Sequence, residues 1–181
     1  TYAGIMPSET ILRPVMLTDA NAIAAIYAHY VMHTCITFEY VAPTEAEIQQ
    51  RIQKVTANYP WLVAITQGEL SGYAYATSFR ERDAYRWDVE TSVYVKETAQ
   101  RKGIATLLYN ELLEMCTRQG FYNAIAGITI PNDKSVAFHK KAGFSDVGVF
   151  SNIGFKMGAW HDVLFMEKKL REHDGTPAEI H

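Results

Sequence analysis

Three groups of residues have types and spacings that can support chemistry. Val93-Tyr94-Val95 followed by Gln100-Arg101-Lys102-Gly103-Ile104-Ala105 reads as a β-strand, a short link and a glycine-bearing turn that opens a long amphipathic helix. A helix N-terminus presents unpaired backbone N–H groups and the positive end of a dipole, so such a turn binds phosphate without needing a lysine. Gly103 removes a Cβ where backbone and ligand must come close, and Ala105 keeps the next contact small. Alone, the hexapeptide reads first as an ordinary strand-to-helix turn. Arg80 and Arg82 form the second group. In an extended segment, residues i and i+2 share a face, where two guanidinium groups can fork a carboxylate or phosphinate. Loop arginines without such context are usually solvated. The third group is Glu90, on a strand whose Asp88, Glu90, Ser92 and Tyr94 share one face and Trp87, Val89, Thr91, Val93 and Val95 the other. A carboxylate there can act as a base, although a solvent-facing glutamate fits the same alternation.

These groups need a sheet and helices to hold them. Ile11 to Leu17 reads as a short apolar strand. Thr18-Asp19 then caps a helix whose Ile23, Ile26, Tyr27, Tyr30 and Val31 recur at helical spacing. Pro43-Thr44-Glu45-Ala46-Glu47 is a capping box, opening a second helix with Ile48, Ile52 and Val55 on one face. Trp61 to Ile65 is a strand, Gln67-Gly68-Glu69 a hairpin turn and Leu70 to Phe79 the return. In that return Tyr73, Tyr75, Thr77 and Phe79 point one way, and Gly72, Ala74 and Ala76 the other. Gly103 to Gln119 is a long helix with Ile104, Leu107, Leu108, Leu112, Met115 and Cys116 as its buried stripe, stopped by Gly120. Ala124 to Ile130 is a buried strand, and Asn132-Asp133 caps a short helix ending at Gly143. Two strands, Phe144 to Phe155 and Trp160 to Leu170, turn near Met157-Gly158. The order β-α-α-β-β-β-α-β-α-β-β implies an α/β fold, a mixed central sheet with helices on both faces.

A chain of 181 residues fits one domain, placed at 11–170, between a tail of residues 1–10 and a C-terminal tail of residues 171–181. Met6 is a candidate native start, and the polar end with Gly175 and Pro177 is expected to fray. Hydrophobic residues at 48% and charged residues at 20% describe an ordinary soluble globular protein. A net charge of -3 without any basic run argues against a nucleic-acid partner. No apolar segment has bilayer-spanning length and no signal peptide precedes the first strand, so the expectation is a cytoplasmic protein with no membrane partner. Cys35 and Cys116 lie far apart without metal-type spacing and read as reduced, buried thiols; no metal is expected.

The chain resembles the GNAT N-acetyltransferases, through its element order and the match of Gln100 to Ala105 to that family's acetyl-CoA motif. Within the family it is similar to the phosphinothricin and methionine sulfoximine N-acetyltransferases. The matching segments are Tyr59-Pro60-Trp61-Leu62-Val63-Ala64, Ala84-Tyr85 through Val89-Glu90 to Val93-Tyr94-Val95, Pro131-Asn132-Asp133 with Ser135 and His139, and Gly158 with Trp160-His161-Asp162-Val163. The resemblance implies acetyl-CoA as co-substrate. Its pantetheine arm would bond along the backbone of Val93, Tyr94 and Val95, as an added strand would, where that strand splays from Ala124–Ile130. Its pyrophosphate would lie over Gln100, Arg101, Lys102, Gly103, Ile104, Ala105 and Thr106, with Asn132 and Ser135 touching the pantetheine or phosphate region. Phe38, Glu39, Arg80, Arg82, Tyr85, Thr91 and Ser92 would line the pocket of a small-molecule acceptor.

The resemblance also assigns roles. An α-amino acceptor starts as an ammonium titrating near ~8, so a base is required, and the matching position is Glu90, working through a water. His139 stands where many GNAT enzymes have the tyrosine that reprotonates the thiolate; phosphinothricin-type enzymes carry histidine there too. Tyr109 and Tyr94 are the alternative acids, and a helix histidine capping local carbonyls is the plainer reading. A backbone N–H at Val93 or its neighbour would hold the oxyanion. The implied acceptors are phosphinothricin, methionine sulfoximine and methionine sulfone. Other readings keep the cofactor with a polyamine, aminoglycoside or protein amine as acceptor, or make the chain a non-catalytic CoA-binding sensor. Neither G-x-x-x-x-G-K-[ST] nor G-x-G-x-x-G occurs, which argues against other nucleotide-binding folds. Family members commonly form homodimers, and the Trp160 hairpin is a candidate interface.

Overall fold

Alternation in a single strand sorts the molecule into layers. In β3 (Glu69–Ser78), Ala74 and Ala76 bury against Leu108 and Leu112, while Tyr73 packs on the other face with Ile23, Ile48 and Trp61. Small side chains on one face let a helix lie close to the sheet; a Cβ added at Gly72 would meet Leu108 Cδ1 at 3.2 Å. Large aromatic ones on the other fill the space beneath two more helices. The computed structural model describes residues 9–181. The expected N-terminal tail, Met6 included, lies outside the described residues up to residue 8.

Among the described residues, β1 (Thr10–Pro14), β2 (Trp61–Thr66), β3, β4 (Asp88–Val95), β5 (Asn123–Ile130), β6 (Ser145–Lys156) and β7 (Ala159–Lys169) form one seven-stranded sheet in the order β1-β2-β3-β4-β5-β7-β6. Only the β4–β5 pair is parallel. α1 (Ala20–His33) and α2 (Glu45–Thr56) cover the tyrosine face, and α3 (Ile104–Gln119) covers the alanine face, with α4 (Asp133–Lys141) packed beside it. The expected mixed sheet with helices on both faces is what forms. α2 starts on its capping box: Thr44 Oγ1 accepts from Glu47 N–H at 3.2 Å, and Glu47 Oε2 from Thr44 N–H at 2.7 Å.

Several local expectations differ from what forms. β1 stops at Pro14, and Leu17–Asp19 is a 3-10 turn, because Asp19 accepts from Met16 N–H at 2.7 Å and from both Arg13 nitrogens at 2.8 Å. Trp87 lies in the turn before β4, outside the ladder. On α3, Leu107 is 47% exposed and Tyr109 is fully buried in its place. Cys116 is buried, which pushes its thiol up to about 12, but Cys35 is only half-buried; both are free. The C-terminal segment forms no helix or strand, and several of its residues contact the rest of the fold. Trp87 Nε1 donates to Ala178 O at 3.0 Å, His181 N–H donates to Gln119 O at 2.9 Å, and Ile180 packs against the core. No described helix is long and apolar enough to cross a membrane. No cluster of three His, Cys, Asp or Glu among the described residues is placed to hold a metal.

Candidate active site

β4 and β5 start as neighbours and then part. Their ladder holds Asp88–Asn123, Val89–Ala124 and Glu90–Ile125, and ends there. Beyond it opens a cavity of about 100 Å³, whose walls include Ser92, Val93, Gly127, Asn132, Ser135 and His139. Lys96 N–H donates to Ser71 O across β3 at 2.8 Å. Because backbone groups alternate sides along a strand, those of Val93 and Val95 turn the other way, toward the gap. That is the geometry an added extended chain needs. One of these groups is already engaged, since Tyr30 Oη donates to Val95 O at 2.5 Å. A larger cavity of about 410 Å³, near Asn58, Gln119 and His181, lies away from these groups.

Glu90 occupies the last rung before the strands separate, opposite Thr77 on β3 and Ile125 on β5. It is half-buried, and burial raises its carboxyl above the usual glutamate range, with no cation in ion-pair contact among the described residues. Such a group holds a proton more readily than a solvated glutamate, a property suited to acid–base chemistry. Ser92 and Tyr94 follow on the same face. Tyr94 packs edge-on against Tyr27 and Tyr30, with ring centroids 5.2 and 5.1 Å away. Burial holds its hydroxyl well above the usual tyrosine range.

His139 is 6% exposed and lines the cavity. Its Nδ1 lies 2.7 Å from Ser135 O and acts as donor to that carbonyl, which leaves Nε2 as the unprotonated nitrogen. Burial among Tyr109, Phe138 and Phe144 lowers its pKa, while the Ser135 bond opposes that shift less strongly. A standing imidazolium acid is therefore disfavoured. Tyr109 is fully buried, bonded to Thr91 Oγ1 at 2.6 Å, and its hydroxyl is raised by desolvation. The Thr91 hydroxyl is engaged by Tyr109 on the α3 side, and Thr91 still belongs to the cavity wall.

The turn before α3, which follows β4 in the chain, has the expected form. Gly103 sits at φ +76° as the helix N-cap, with nothing within 4 Å of where a Cβ would stand, and Arg101 is also left-handed at φ 65°. Gln100, Arg101, Lys102, Gly103 and Thr106 are exposed, whereas Ile104 is buried and Ala105 half-buried. The open space above Gly103 and the first amides of α3 give this turn a geometry that can bind an anion. Asn132 caps α4 through Oδ1, accepting from Ser135 N–H at 3.2 Å.

The acceptor-side residues diverge most from expectation. Arg80 and Arg82 are not an extended pair: β3 ends at Ser78, the chain bends, and Arg82 precedes a 3-10 turn at Asp83–Tyr85. Arg80 stacks over Phe79 and Tyr85, its guanidinium carbon 5.1 and 5.7 Å from the ring centroids. Both arginines are exposed, and neither has an acidic partner among the described residues. Glu39 is bound rather than open. Arg51 grips it through two bonds of 2.9 and 2.5 Å, and Tyr27 Oη donates to it. Arg51 accordingly holds its carboxyl below the usual range, against a smaller opposing effect of burial. Phe38 lies against Gly154 and 6.3 Å from the His161 ring. The spacing gave no sign of Lys156, a buried lysine whose Nζ donates to Thr37 O at 2.7 Å. The only signal available was a lysine in an otherwise apolar run, Ile153-Gly154-Phe155-Lys156.

Residues 12–165 match the Acetyltransferase (GNAT) domain model. The phosphinothricin N-acetyltransferase of Alcaligenes faecalis is 39% identical over 93% of this chain and 86% of its own length. The L-methionine sulfoximine/L-methionine sulfone acetyltransferase of Salmonella typhimurium is 33% identical over 88% of this chain and 94% of its own. A phosphinothricin acetyltransferase from Sinorhizobium meliloti, solved in complex with AcCoA, superposes with a TM-score of 0.91 at 39% identity, covering 96% of this chain and 95% of that one. The strand gap, the glycine turn and the carboxylate at the rung before the gap thus sit in an N-acetyltransferase, and the chain belongs to the GNAT family with the phosphinothricin and methionine sulfoximine N-acetyltransferases.

Proposed function

We propose that this enzyme transfers acetyl from acetyl-CoA directly to the α-amino group of a small amino-acid analogue with a second anionic or strongly polar head, namely phosphinothricin, methionine sulfoximine or methionine sulfone. One observation carries the reading: a half-buried carboxylate, Glu90, with a raised pKa at the rung where β4 and β5 part. The backbone of Val93 and Val95, the amides from Gln100 to Thr106, and Asn132 and Ser135 would hold acetyl-CoA, which supplies an activated acetyl group and a thiolate leaving group. Tyr94 walls the same slot.

Glu90 takes one proton from the acceptor ammonium through a water, freeing the nitrogen lone pair for attack. Val93 N–H, turned toward the gap, donates to the carbonyl oxygen as it gains charge. The nitrogen must then lose a second proton and the departing thiolate must gain one. Neutral His139, with Nε2 free, accepts the first of these and returns it to sulfur, so the protons balance without a standing imidazolium. Ser92, Phe38, Tyr85, Arg80 and Arg82 face the acceptor in this reading, with the arginines closing on its acidic head. Arg80 and Arg82, without acidic partners among the described residues, favour an anionic acceptor over a polyamine or aminoglycoside. A cationic acceptor would need open carboxylates, and Glu39 is already held by Arg51 and Tyr27.

The reading includes a homodimer joined through the β6–β7 hairpin, supported by exposed Phe150, Phe155 and Trp160, and a cytoplasmic location. Initial-rate kinetics with phosphinothricin and acetyl-CoA, with NMR of the product, tests the chemistry. Intersecting double-reciprocal lines and one acetyl group on the α-nitrogen are expected. Parallel lines, or acetyl elsewhere, would overturn direct transfer to the α-amine.

A further inference from the structure

Residues 34–41 link α1 toward α2, and Ile36 from this loop lines the same cavity as Ser92 and Val93. The loop is held by the tip of the β6–β7 hairpin, residue against residue. Cys35 Sγ lies 3.7 Å from Met157 Sδ, and Tyr40 Oη donates to Phe155 O. Lys156 Nζ donates to Thr37 O at 2.7 Å. A Cβ added at Gly154 would stand 2.2 Å from Phe38 Cε2, so glycine is what lets the ring lie there. Thr37 is tied in turn to α1, its hydroxyl 2.7 Å from Tyr27 Oη.

Lys156 stands out in this set. It is 5% exposed, and among the described residues its ammonium bonds a neutral backbone carbonyl. Desolvation lowers its pKa, and the field of Cys35 and Glu39 only partly offsets that. A buried ammonium is costly unless well bonded, so this one contributes little as a bare stability device. Its bond fixes the segment Ile36–Phe38, where the loop reaches the cavity.

We propose that Lys156 is a positioning residue: with Gly154, it clamps the Ile36–Phe38 segment from the β6–β7 hairpin and thereby sets the acceptor side of the transfer cavity. The clamp acts on acceptor binding rather than on the acetyl-CoA cradle, which lies on α3 and β4. Its kinetic consequence rests on the acceptor reading above; the structural clamp does not.

The test compares wild type with Lys156→Met and Gly154→Ala, using hydrogen exchange for residues 35–40 and steady-state kinetics with phosphinothricin. Loss of a charged hydrogen bond implies at least ~10-fold faster exchange at residues 35–40 and at least ~10-fold higher acceptor KM in Lys156→Met. Acetyl-CoA KM should stay within about 2-fold and amides of α3 and β5 should be unchanged, as an effect confined to one loop requires. Gly154→Ala keeps the ammonium but displaces Phe38, and should shift acceptor KM in the same direction; it decides the matter if Lys156→Met melts too low to assay. Unchanged exchange at residues 35–40 in both variants overturns the clamp, as does a parallel rise of both KM values. If wild type turns over no small amino-acid analogue, the functional reading fails, and the exchange result alone still decides the clamp.

Discussion

Replacing Glu90 with glutamine separates the proposed chemistry from the fold. The substitution keeps volume and shape, removes the charge, and breaks no ion pair among the described residues. A positioned general base contributes roughly 10²–10⁴-fold, so kcat should fall by at least ~100-fold, equivalent to about 2.7 kcal/mol of transition-state stabilisation. Acetyl-CoA KM should stay within about 2-fold, because the cradle at Gly103 and the open edge at Val93 do not involve the carboxylate. The pH dependence gives a second reading. Glu90 works as the deprotonated form, and burial raises its pKa, so wild-type kcat should rise with pH on a limb above the usual glutamate range. The variant should lose that limb. Stability should move the other way. An acid whose folded pKa is raised favours the folded state at low pH and loses that contribution as pH rises through the folded value. Glu90→Gln should therefore melt no lower than wild type at neutral pH. A thiol-release assay across pH, with thermal melts alongside, reads all of this. A kcat loss under ~3-fold with the acidic limb intact would refute Glu90 as the base.

Other outcomes follow from the same geometry. Arg82→Ala should raise the KM of an anionic acceptor by roughly 10- to 100-fold, the worth of a charged hydrogen bond, and leave Tm nearly unchanged because Arg82 is exposed and forms no ion pair among the described residues; steady-state kinetics and a melt check it. Gly103→Ala forces a side chain into a left-handed conformation and should cost about 1–2 kcal/mol, with acetyl-CoA KM raised more than acceptor KM. Glu39→Gln should destabilise by less than ~1 kcal/mol at neutral pH, since the Arg51 pair is partly solvated. Glu39 has a lowered folded pKa, so its contribution is present above ~4.3 and lost as pH falls through the folded value. Denaturant melts of both proteins should accordingly converge in acid.

Local pattern made most of the fold legible. The tyrosine and alanine faces of β3 and the Thr44 capping box each point to one structure by period and chemistry alone. Long-range geometry was less accessible. Parity along a strand placed Arg80 and Arg82 side by side, but β3 ends at Ser78 and the bend destroys the parity. Parity also fails in β6, where the register shifts between Asp146 and Gly148 and again between Phe150 and Gly154. There Asn152 N–H donates to Asp162 Oδ1 at 2.7 Å. Extra residues of this kind reverse which side chains face inward, so counting alone does not find Lys156. The C-terminal segment is polar enough to read as a fraying end, and its contacts at Trp87 and Gln119 lie far away in sequence, where local pattern cannot show them. His139 and Tyr109 were legible as candidates, but their protonation depends on the aromatic packing around them, which only the fold supplies.

The most direct test of the central claim is a steady-state thiol-release assay with acetyl-CoA and a panel of phosphinothricin, methionine sulfoximine, methionine sulfone, glutamate, spermidine and a lysine peptide. The account predicts saturable turnover with the first three and none above background with spermidine or the peptide. Turnover confined to spermidine or the peptide would contradict it.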